Sequence, residues 1–241
     1  MTHVKPNYQS TASKKEQVEE MFDNIAHRYD FLNHLLSMGI DNLWRVKAMR
    51  FVKASQPQRL LDIATGTGDL AFEARKQMPN VHIVGLDLSE GMLSMAREKA
   101  KKRKLADMEF VKGDSENLPF EDNSFDAVSV AFGVRNFENL EAGLKEINRV
   151  LKPGGKLAIL EFSKPKKFPV KQVFNFYFKN ILPTTGKLIS KDNRAYEYLP
   201  ESVQAFPEGK DFIQILERLG YKSSKDQPLS FGICSLYTAE K

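Results

Sequence analysis

The apolar residues of this chain fall into short runs that alternate with helical patterns between residues 59 and 162. Short apolar runs bounded by turn residues predict strands, and apolar positions spaced three and four residues apart predict helices. The predicted elements are strand 59–64, helix 69–77, strand 81–87, helix 90–103, strand 108–112, strand 125–131, helix 138–151 and strand 156–162. Because strands that alternate with helices form parallel sheets, the pattern predicts a doubly wound α/β fold.

Two flanking regions complete the predicted fold. Ser13 and Glu16 form a capping box at the start of an N-terminal helical region. After Phe162 the alternation stops, and an insertion separates the core from a last helix and two strands, which bring the mostly parallel sheet to seven strands. The predicted regions are a flexible start at 1–12, a helical region at 13–56, a core at 57–162, an insertion at 163–200, a helix at 208–219 and strands at 220–227 and 231–239, all within one domain, 1–240.

Composition agrees with one domain of ordinary size. The chain has 241 residues, of which 41% are hydrophobic, enough for a sizeable core. It has no membrane-length apolar run, and its start lacks the apolar stretch of a secretory signal, so we expect a cytoplasmic protein. The lone Cys234 lies in a predicted strand and is expected to be a buried thiol. The four histidines have no chelating spacing, and no metal site is expected.

The stretch "RLLDIATGTGDLAFEA", residues 59–74, joins the first predicted strand to the next helix through Gly66 and Gly68. In a doubly wound sheet this turn forms the floor of the ligand crevice, and glycines let the backbone approach a ligand closely. The helix that follows directs backbone N–H groups at the same place. Because "GTGDLA" also matches the loose dinucleotide pattern, the glycines alone do not distinguish a nicotinamide cofactor from an adenosyl one.

Three acids at the ends of the first three predicted strands narrow the choice of cofactor. Asp87 lies 21 positions after Gly66, a spacing at which a carboxylate accepts hydrogen bonds from both ribose hydroxyls. Asp114 and the backbone N–H of Ser115 can bind the edge of an adenine ring. Asp62 can orient the turn and face a cationic group. Because three carboxylates repel a pyrophosphate and attract a cation, S-adenosylmethionine is the expected cofactor; the alternative is that the acids only cap helices.

Several stretches resemble class I S-adenosylmethionine-dependent methyltransferases, and more specifically the ubiquinone/menaquinone biosynthesis C-methyltransferase family. They are "YDFLNHLLSMGIDNLW" at 29–44, "FGVRNFENL" at 132–140 and "RVLKPGGKLAILEFSKP" at 149–165. Together with the glycine turn, the resemblance covers roughly residues 15–240. The sequence departs from the family pattern at Leu32, where methionine is usual, at Asp41 (histidine), at Ala64 (glycine) and at Ala131 (serine in some members).

The resemblance implies methyl transfer from S-adenosylmethionine to a ring carbon of a polyprenylated quinol. The expected reaction converts demethylmenaquinol to menaquinol, and the alternative is methylation of a ubiquinone precursor. The residues predicted to bind the cofactor are Asp62, Ala64, Gly66, Thr67, Gly68, Asp87, Leu88, Met92, Asp114, Ser115 and Ala131.

Arg135, Asn136 and Tyr29 are the predicted catalytic residues. A ring carbon becomes nucleophilic when a neighbouring hydroxyl is deprotonated, and Arg135 can hold the resulting oxyanion or a water that takes the proton. Asn136 can orient the same groups, and Tyr29 can form a wall of the ring pocket. Alternatives stay open: Arg135 pairs with Asp30 or Glu161 as part of the architecture, Tyr29 only packs, and the base is Tyr29, Arg135 or a water.

The segment 163–191 carries seven lysines and no acid, interleaved with aromatic residues. A basic amphipathic helix can lie on an anionic membrane surface, where a polyprenyl tail resides, or it can pack on the core with a solvated lysine face. We expect the segment to cap the active site at the inner face of the cytoplasmic membrane.

The expected partners leave a homodimer open, and binding to nucleic acid is not expected. The competing functions are an RNA methyltransferase, a nicotinamide oxidoreductase and a non-catalytic scaffold.

Overall fold

Helices and strands alternate along the chain, as the hydrophobic pattern predicts. The computed structural model describes residues 4–37, 39–177, 180 and 194–241, without the side chains of 28–37 and 194–197. Two short 3-10 turns, Val134–Asn136 and Ser230–Gly232, accompany the main elements. In chain order these are α1 (Lys14–Ser37), α2 (Asp41–Lys53), β1 (Arg59–Ile63), α3 (Asp69–Gln77), β2 (His82–Asp87), α4 (Glu90–Lys102), β3 (Glu109–Lys112), β4 (Phe125–Ala131), α5 (Leu140–Val150), β5 (Leu151–Phe162), α6 (Val170–Phe176), α7 (Arg194–Ala205), α8 (Lys210–Arg218), β6 (Lys222–Leu229) and β7 (Cys234–Glu240).

The strands of the described residues form one seven-stranded sheet in the order β3-β2-β1-β4-β5-β7-β6. Strands β1 to β5 pair in parallel, and β7 runs antiparallel to both β5 and β6. The predicted mostly parallel sheet is therefore confirmed. The strand order reverses at β1, whose neighbours are β2 and β4, and doubly wound sheets bind ligands at the carboxyl edge of such a reversal.

Helices cover both faces of the sheet. Successive residues of a strand point to opposite faces, so Leu60 packs in the cluster that includes α2, α3 and α4, whereas Leu61 packs in the cluster that includes α5 and α8. Both side chains are completely buried. Cys234 is buried in the first cluster and is a free thiol, as its strand context predicts.

Helix α1 lies outside these two layers and packs over the carboxyl side of the sheet. Its residues Ile25 and Ala26 surround Met92 of α4, and its residues Val18 and Met21 surround Tyr198 of α7. The predicted capping box at its start is confirmed: the Ser13 backbone N–H donates to Glu16 Oε2 (2.8 Å), and the Glu16 N–H donates to Ser13 Oγ (3.2 Å). Helix α1 thus begins at a defined point and bridges α4 and α7.

Two segments differ from the prediction. Strand β5 begins at Leu151 and not at 156. Its glycine-containing residues 152–155 form an irregularity between the pairs Phe125–Leu151 and Ala127–Lys156. The prediction assigned no helix to residues 194–205 and placed 194–200 in the insertion; the structure has α7 there, with Pro200 inside the helix. Residues 178–179 and 181–193 of the predicted insertion lie outside the described residues.

Among the described residues, no helix is long and apolar enough to cross a membrane. The same part of the chain contains no group of three or more His, Cys, Asp or Glu side chains placed to hold a metal ion.

Candidate active site

The turn between β1 and α3 forms the floor of a cavity. Ala64, Gly66 and Gly68 all have positive φ (50°, 56° and 88°). A Cβ on Gly66 would meet nothing within 4 Å, whereas a Cβ on Gly68 would lie 2.8 Å from the Phe72 ring. Gly66 therefore leaves open space beside the backbone, and Gly68 lets the turn pack against α3.

Asp62, at the end of β1, is used inside the turn. Its carboxylate accepts hydrogen bonds from Thr65 Oγ1 (2.6 Å) and Ser129 Oγ (2.7 Å) and is almost completely buried. Burial raises the pKa of Asp62 to about 6, although both hydrogen bonds act to lower it. The structure thus places Asp62 where it orients the turn, behind the wall of the cavity.

Asp87, at the end of β2, joins that strand to the glycine turn. Its Oδ2 accepts from the Gly66 N–H (2.7 Å) and its Oδ1 from the Ser89 N–H (2.9 Å). Burial raises the pKa of Asp87, whereas these backbone hydrogen bonds lower it. Ser89 caps α4, because its Oγ accepts from the Met92 N–H at 3.1 Å. The helix cap is therefore not the role of Asp87, whose oxygens keep further lone pairs for a ligand.

Asp114, after β3, is paired with a residue that the sequence did not single out. Lys15 Nζ of α1 lies 2.5 Å from Asp114 Oδ2 and 3.7 Å from a carboxylate oxygen of Glu116. Asp23 of the same helix accepts from Ser89 Oγ at 2.5 Å. Helix α1 thus holds the ends of both β2 and β3 from above.

A cavity that is open to solvent lies between this floor and α1. The structure brings nine of the predicted site residues to its wall. They are Ala64, Gly66, Asp87, Leu88, Met92, Asp114, Ser115, Ala131 and Asn136. The remaining wall comes from α1, from the turns after β3 and β4, and from Leu86 of β2: Lys15, Val18, Phe22, Leu86, Gly113, Glu116, Phe132, Gly133, Phe137 and Glu138.

Four predicted residues are placed elsewhere. Asp62 and Gly68 lie behind the turn, and Thr67 is buried there with its Oγ1 accepting from Lys99 Nζ (2.9 Å). Arg135 stands next to the wall residue Asn136. The backbone of Tyr29 belongs to α1, but its side chain lies outside the described residues, as does that of Asp30.

Arg135 is fixed in place by a buried ion pair. Its Nη1 lies 2.9 Å from Glu161 Oε1 and also donates to the Phe132 carbonyl. The side chain of Arg135 is 8% exposed and that of Glu161 is not exposed at all. Burial raises the pKa of Glu161, and the charge of Arg135 lowers it. The sequence left Asp30 and Glu161 open as ion-pair partners of Arg135, and the described residues show the pair with Glu161.

Lys14 is a second residue that sequence reasoning missed. Its Nζ donates to the carbonyls of Arg135 (3.0 Å) and Phe137 (2.8 Å), so it ties the start of α1 to the turn after β4. Burial lowers the pKa of Lys14 to about 8, and the charge of Arg135 acts in the same direction. The capping box next to it marked where α1 begins, but no pattern showed which loop the helix would meet.

The fold is that of a class I S-adenosylmethionine-dependent methyltransferase. The solved structure of such an enzyme from Thermotoga maritima shares the fold with a TM-score of 0.67, covering 92% of this chain and 99% of that chain at 18% identity. Residues 10–241 match the ubiE/COQ5 methyltransferase family, and the chain belongs to that family.

Two curated relatives are similar over nearly their whole length. A demethylmenaquinone methyltransferase from Bacteroides fragilis is 51% identical over 239 residues, which are 99% of this chain and 97% of the relative. A ubiquinone/menaquinone biosynthesis C-methyltransferase UbiE from Geobacter sulfurreducens is 45% identical over 95% of this chain and 90% of its own length.

Proposed function

We propose that this protein transfers a methyl group from S-adenosylmethionine to a ring carbon of demethylmenaquinol, giving menaquinol. The observation that carries the proposal is that Asp87 and Asp114 line the same cavity as Asn136. One wall thus offers groups for an adenosyl cofactor, and the neighbouring wall offers groups for a phenolic ring. The choice of quinol follows the relative from Bacteroides fragilis, which is named for that substrate.

The residues of the cavity fit S-adenosylmethionine. Asp87 accepts from backbone N–H groups of Gly66 and Ser89, and a carboxylate has further lone pairs that suit ribose hydroxyls. Asp114 and Ser115 lie at the wall where an adenine edge would bind, and Leu88 and Met92 supply apolar surface beside it. Burial disfavours the charged carboxylates of Asp62 and Asp87 and so raises their pKa. A cationic ligand nearby stabilises the charged form, so these residues favour a sulfonium compound over a pyrophosphate.

When bound, S-adenosylmethionine supplies an electrophilic methyl group on a cationic sulfur. Arg135 then provides a positive charge beside the ring, and its contacts with Glu161 and Phe132 fix that charge in advance. The Arg135 Nε and the Asn136 Oδ1 are buried and have no hydrogen-bond partner among the described residues. We assign them to the ring oxygens: Arg135 stabilises the quinol oxyanion, and Asn136 orients a hydroxyl or the water that receives its proton.

The test is methyl transfer in a defined mixture. The purified protein is incubated in mixed micelles with labelled S-adenosylmethionine and chemically reduced demethylmenaquinol, and the ring is analysed by mass spectrometry. A parallel reaction contains the benzoquinol precursor of ubiquinone, because the Geobacter relative is named for both pathways. We expect one methyl group on the ring carbon of the naphthoquinol.

Other outcomes would contradict the proposal in distinct ways. Transfer only to the benzoquinol would move the substrate to the ubiquinone pathway. Cofactor binding without transfer to either quinol would favour a non-catalytic scaffold or another methyl acceptor.

The variant Arg135→Lys tests the role of the guanidinium. It keeps the charge opposite Glu161 but loses the planar geometry of the guanidinium, and we expect it to fold and to turn over more slowly.

We also propose that α6 and the residues before it contact an anionic membrane surface. Phe168, Val173 and Phe176 are 81%, 66% and 61% exposed, and Lys166, Lys167 and Lys171 are exposed beside them. Helix α6 begins eight residues after the carboxyl end of β5, which lies on the same edge of the sheet as the cavity floor. A quinol with its tail in the bilayer can enter from this side. Flotation with vesicles, described in the Discussion, tests the contact.

A further inference from the structure

The hydroxyl of Tyr198 is a buried polar group that the proposed mechanism does not use. Tyr198 belongs to α7 and is 3% exposed, packed against Val18 and Met21 of α1. Its hydroxyl has no hydrogen-bond partner among the described residues. A buried tyrosine hydroxyl normally has one, because desolvating the group without a partner is costly. The position therefore indicates a partner that is not part of the described chain.

The surroundings of Tyr198 place this hydroxyl beside the proposed quinol site. Helix α7 contacts the turn Val134–Asn136, and the charges of Arg135 and Glu161 both act on the Tyr198 side chain. Val18, which packs on Tyr198, also lines the cavity. Tyr198 thus lies beside the turn Val134–Asn136 and directly behind the wall residue Val18.

Three buried polar atoms without described partners lie on this turn or on the helix that contacts it. They are the Nε–H of Arg135, the amide oxygen of Asn136 and the hydroxyl of Tyr198. Two of them donate hydrogen bonds, and one accepts. A hydroquinone ring with one ionised and one protonated oxygen needs this combination: donors for the oxyanion and an acceptor for the remaining hydroxyl.

We infer that Tyr198 is a substrate-contacting residue that donates a hydrogen bond to the quinol oxygen next to the methylated carbon. This inference rests on the proposed function. Tyr198 and Arg135 would stabilise the oxyanion together, while Asn136 accepts from the second ring hydroxyl. The side chain also sets specificity, because a ring without an oxygen at this position would leave the buried hydroxyl unpaired.

The chemical state of Tyr198 suits a donor and not a base. Burial raises the pKa of Tyr198 well above its usual range, the charge of Glu161 acts in the same direction, and that of Arg135 opposes it. The hydroxyl therefore keeps its proton at neutral pH. The proton released by the quinol goes to water, and Tyr198 stabilises the charge that is left on the ring.

The test compares wild type with Tyr198→Phe, which removes only the hydroxyl and keeps the ring that packs on α1. We expect kcat to fall roughly 10- to 100-fold, with the Kd for S-adenosylmethionine unchanged within about two-fold. The acid limb of the kcat–pH profile should move to higher pH, because the bound quinol loses a donor that lowers its pKa. The matched control is Tyr221→Phe, whose hydroxyl donates to the Leu144 carbonyl (2.8 Å) on the other face of the sheet.

A binding measurement separates this inference from the proposed function. Menadiol, a short naphthoquinol, is titrated by calorimetry into wild type and Tyr198→Phe in the presence of S-adenosylhomocysteine. Weaker binding to the variant supports the donor role even if wild type methylates no quinol, in which case only the proposed function fails. Equal binding, with kcat and its pH profile as in wild type, would overturn the inference.

A measurement on wild type covers the case in which Tyr198→Phe does not fold. Ultraviolet titration of bound menadiol should give a first pKa below that of free menadiol, since the wall donates hydrogen bonds to the oxyanion. An unchanged pKa would overturn the inference.

Discussion

At the residue scale, Ala64 and Gly133 explain how the glycine turn tolerates an alanine. Ala64 has φ +50°, in the left-handed region that favours glycine, and it stands where the family usually has glycine. A Cβ on Gly133 would lie 2.5 Å from the Ala64 Cβ, which real Cβ atoms do not approach. The extra methyl at 64 is therefore accommodated by the lack of one at 133.

This contact predicts a coupling between the two positions. Gly133→Ala should destabilise the protein by about 1–3 kcal/mol through overpacking, because its φ of −109° suits alanine but its Cβ would lie 2.5 Å from Ala64 and 3.1 Å from Val130. In an Ala64→Gly background the same change should cost about 1 kcal/mol less. Urea unfolding of wild type, Ala64→Gly, Gly133→Ala and the double variant measures this difference in unfolding free energy.

The control for this double-mutant cycle of positions 64 and 133 is Gly113→Ala, whose Cβ would meet Leu86 and not Ala64. Its cost should be the same in both backgrounds. Equal costs for Gly133→Ala in both backgrounds would contradict the contact.

Asp62 predicts a pH-dependent stability. Its pKa is raised by burial from 3.8 to about 6, so the folded state binds the proton more tightly than the unfolded state. The contribution of the protonated carboxyl is complete below the unfolded pKa and is lost as pH rises through about 6. Relative to Asp62→Asn, wild type should lose about 2 kcal/mol of unfolding free energy between pH 4 and pH 7.

Urea unfolding of both chains across this pH range checks the expectation. Groups that titrate alike in the two chains cancel in the difference. A difference that does not change with pH would show that Asp62 stays ionised when buried.

At the element scale, α1 is the helix whose contacts most affect the expected binding of the cofactor. Its residues Lys14, Lys15 and Asp23 attach it to the turns after β4, β3 and β2. The proposed adenine carboxylate, Asp114, is thus already occupied by a lysine of this helix. Because Lys15 also adds a positive charge beside a site for a cationic ligand, the cofactor must displace or rearrange this pair.

Removing the pair should therefore favour the cofactor. The Lys15 and Asp114 side chains are 30% and 28% exposed, so the pair is partly screened and contributes less than about 1 kcal/mol. Lys15→Met should lower the Kd for S-adenosylmethionine by about 1.5- to 5-fold in calorimetric titrations.

Lys112→Met is the matched control for Lys15→Met. It breaks the 2.6 Å pair with Glu19 that also docks α1, but it leaves Asp114 untouched. Its Kd should equal that of wild type. An unchanged or weaker affinity in Lys15→Met would mean that Lys15 belongs to the bound state of the site.

At the scale of the whole molecule, the distribution of charge predicts how the protein meets a bilayer. The net charge is +5, and the described residues 163–177 carry four lysines and no acid. We expect flotation with phosphatidylserine vesicles, and a roughly 10- to 100-fold loss of binding in the triple variant Lys166→Gln, Lys167→Gln, Lys171→Gln. The control with the same change of charge is Lys101→Gln, Lys102→Gln, Lys104→Gln, all exposed at the end of α4.

Raising the salt concentration should weaken vesicle binding of wild type, since exposed charges are screened. Equal binding of the two triple variants would show that net charge acts alone and that α6 has no special contact with the membrane.

The strand-end acids could be predicted from sequence because topology fixes them. A parallel sheet places the residues after β1, β2 and β3 along one edge, so Asp62, Asp87 and Asp114 had to come near one another. The depth of each side chain was not predictable: Asp62 turned inward to Thr65 and Ser129, a choice made by tertiary packing.

The position of α1 over the cavity was not predictable for a different reason. The amphipathic pattern of α1 specified a helix and its starting point, but the pattern of one helix does not specify the angle at which it crosses a sheet. Lys14, Lys15 and Tyr198 enter the site only through that angle. Helix α7 was missed altogether beside Pro200, and Tyr198 was missed with it.

One feature of α1 bears on the order of events in turnover. The same helix touches the proposed adenine end of the cavity through Lys15 and the proposed ring end through Val18, which packs on Tyr198. We therefore expect the exchange of the two proposed ligands to be coupled through α1. Steady-state kinetics should follow a sequential scheme in which the nucleoside enters first and leaves last, so that departure of the spent nucleoside, gated by one helix, sets the pace of each cycle.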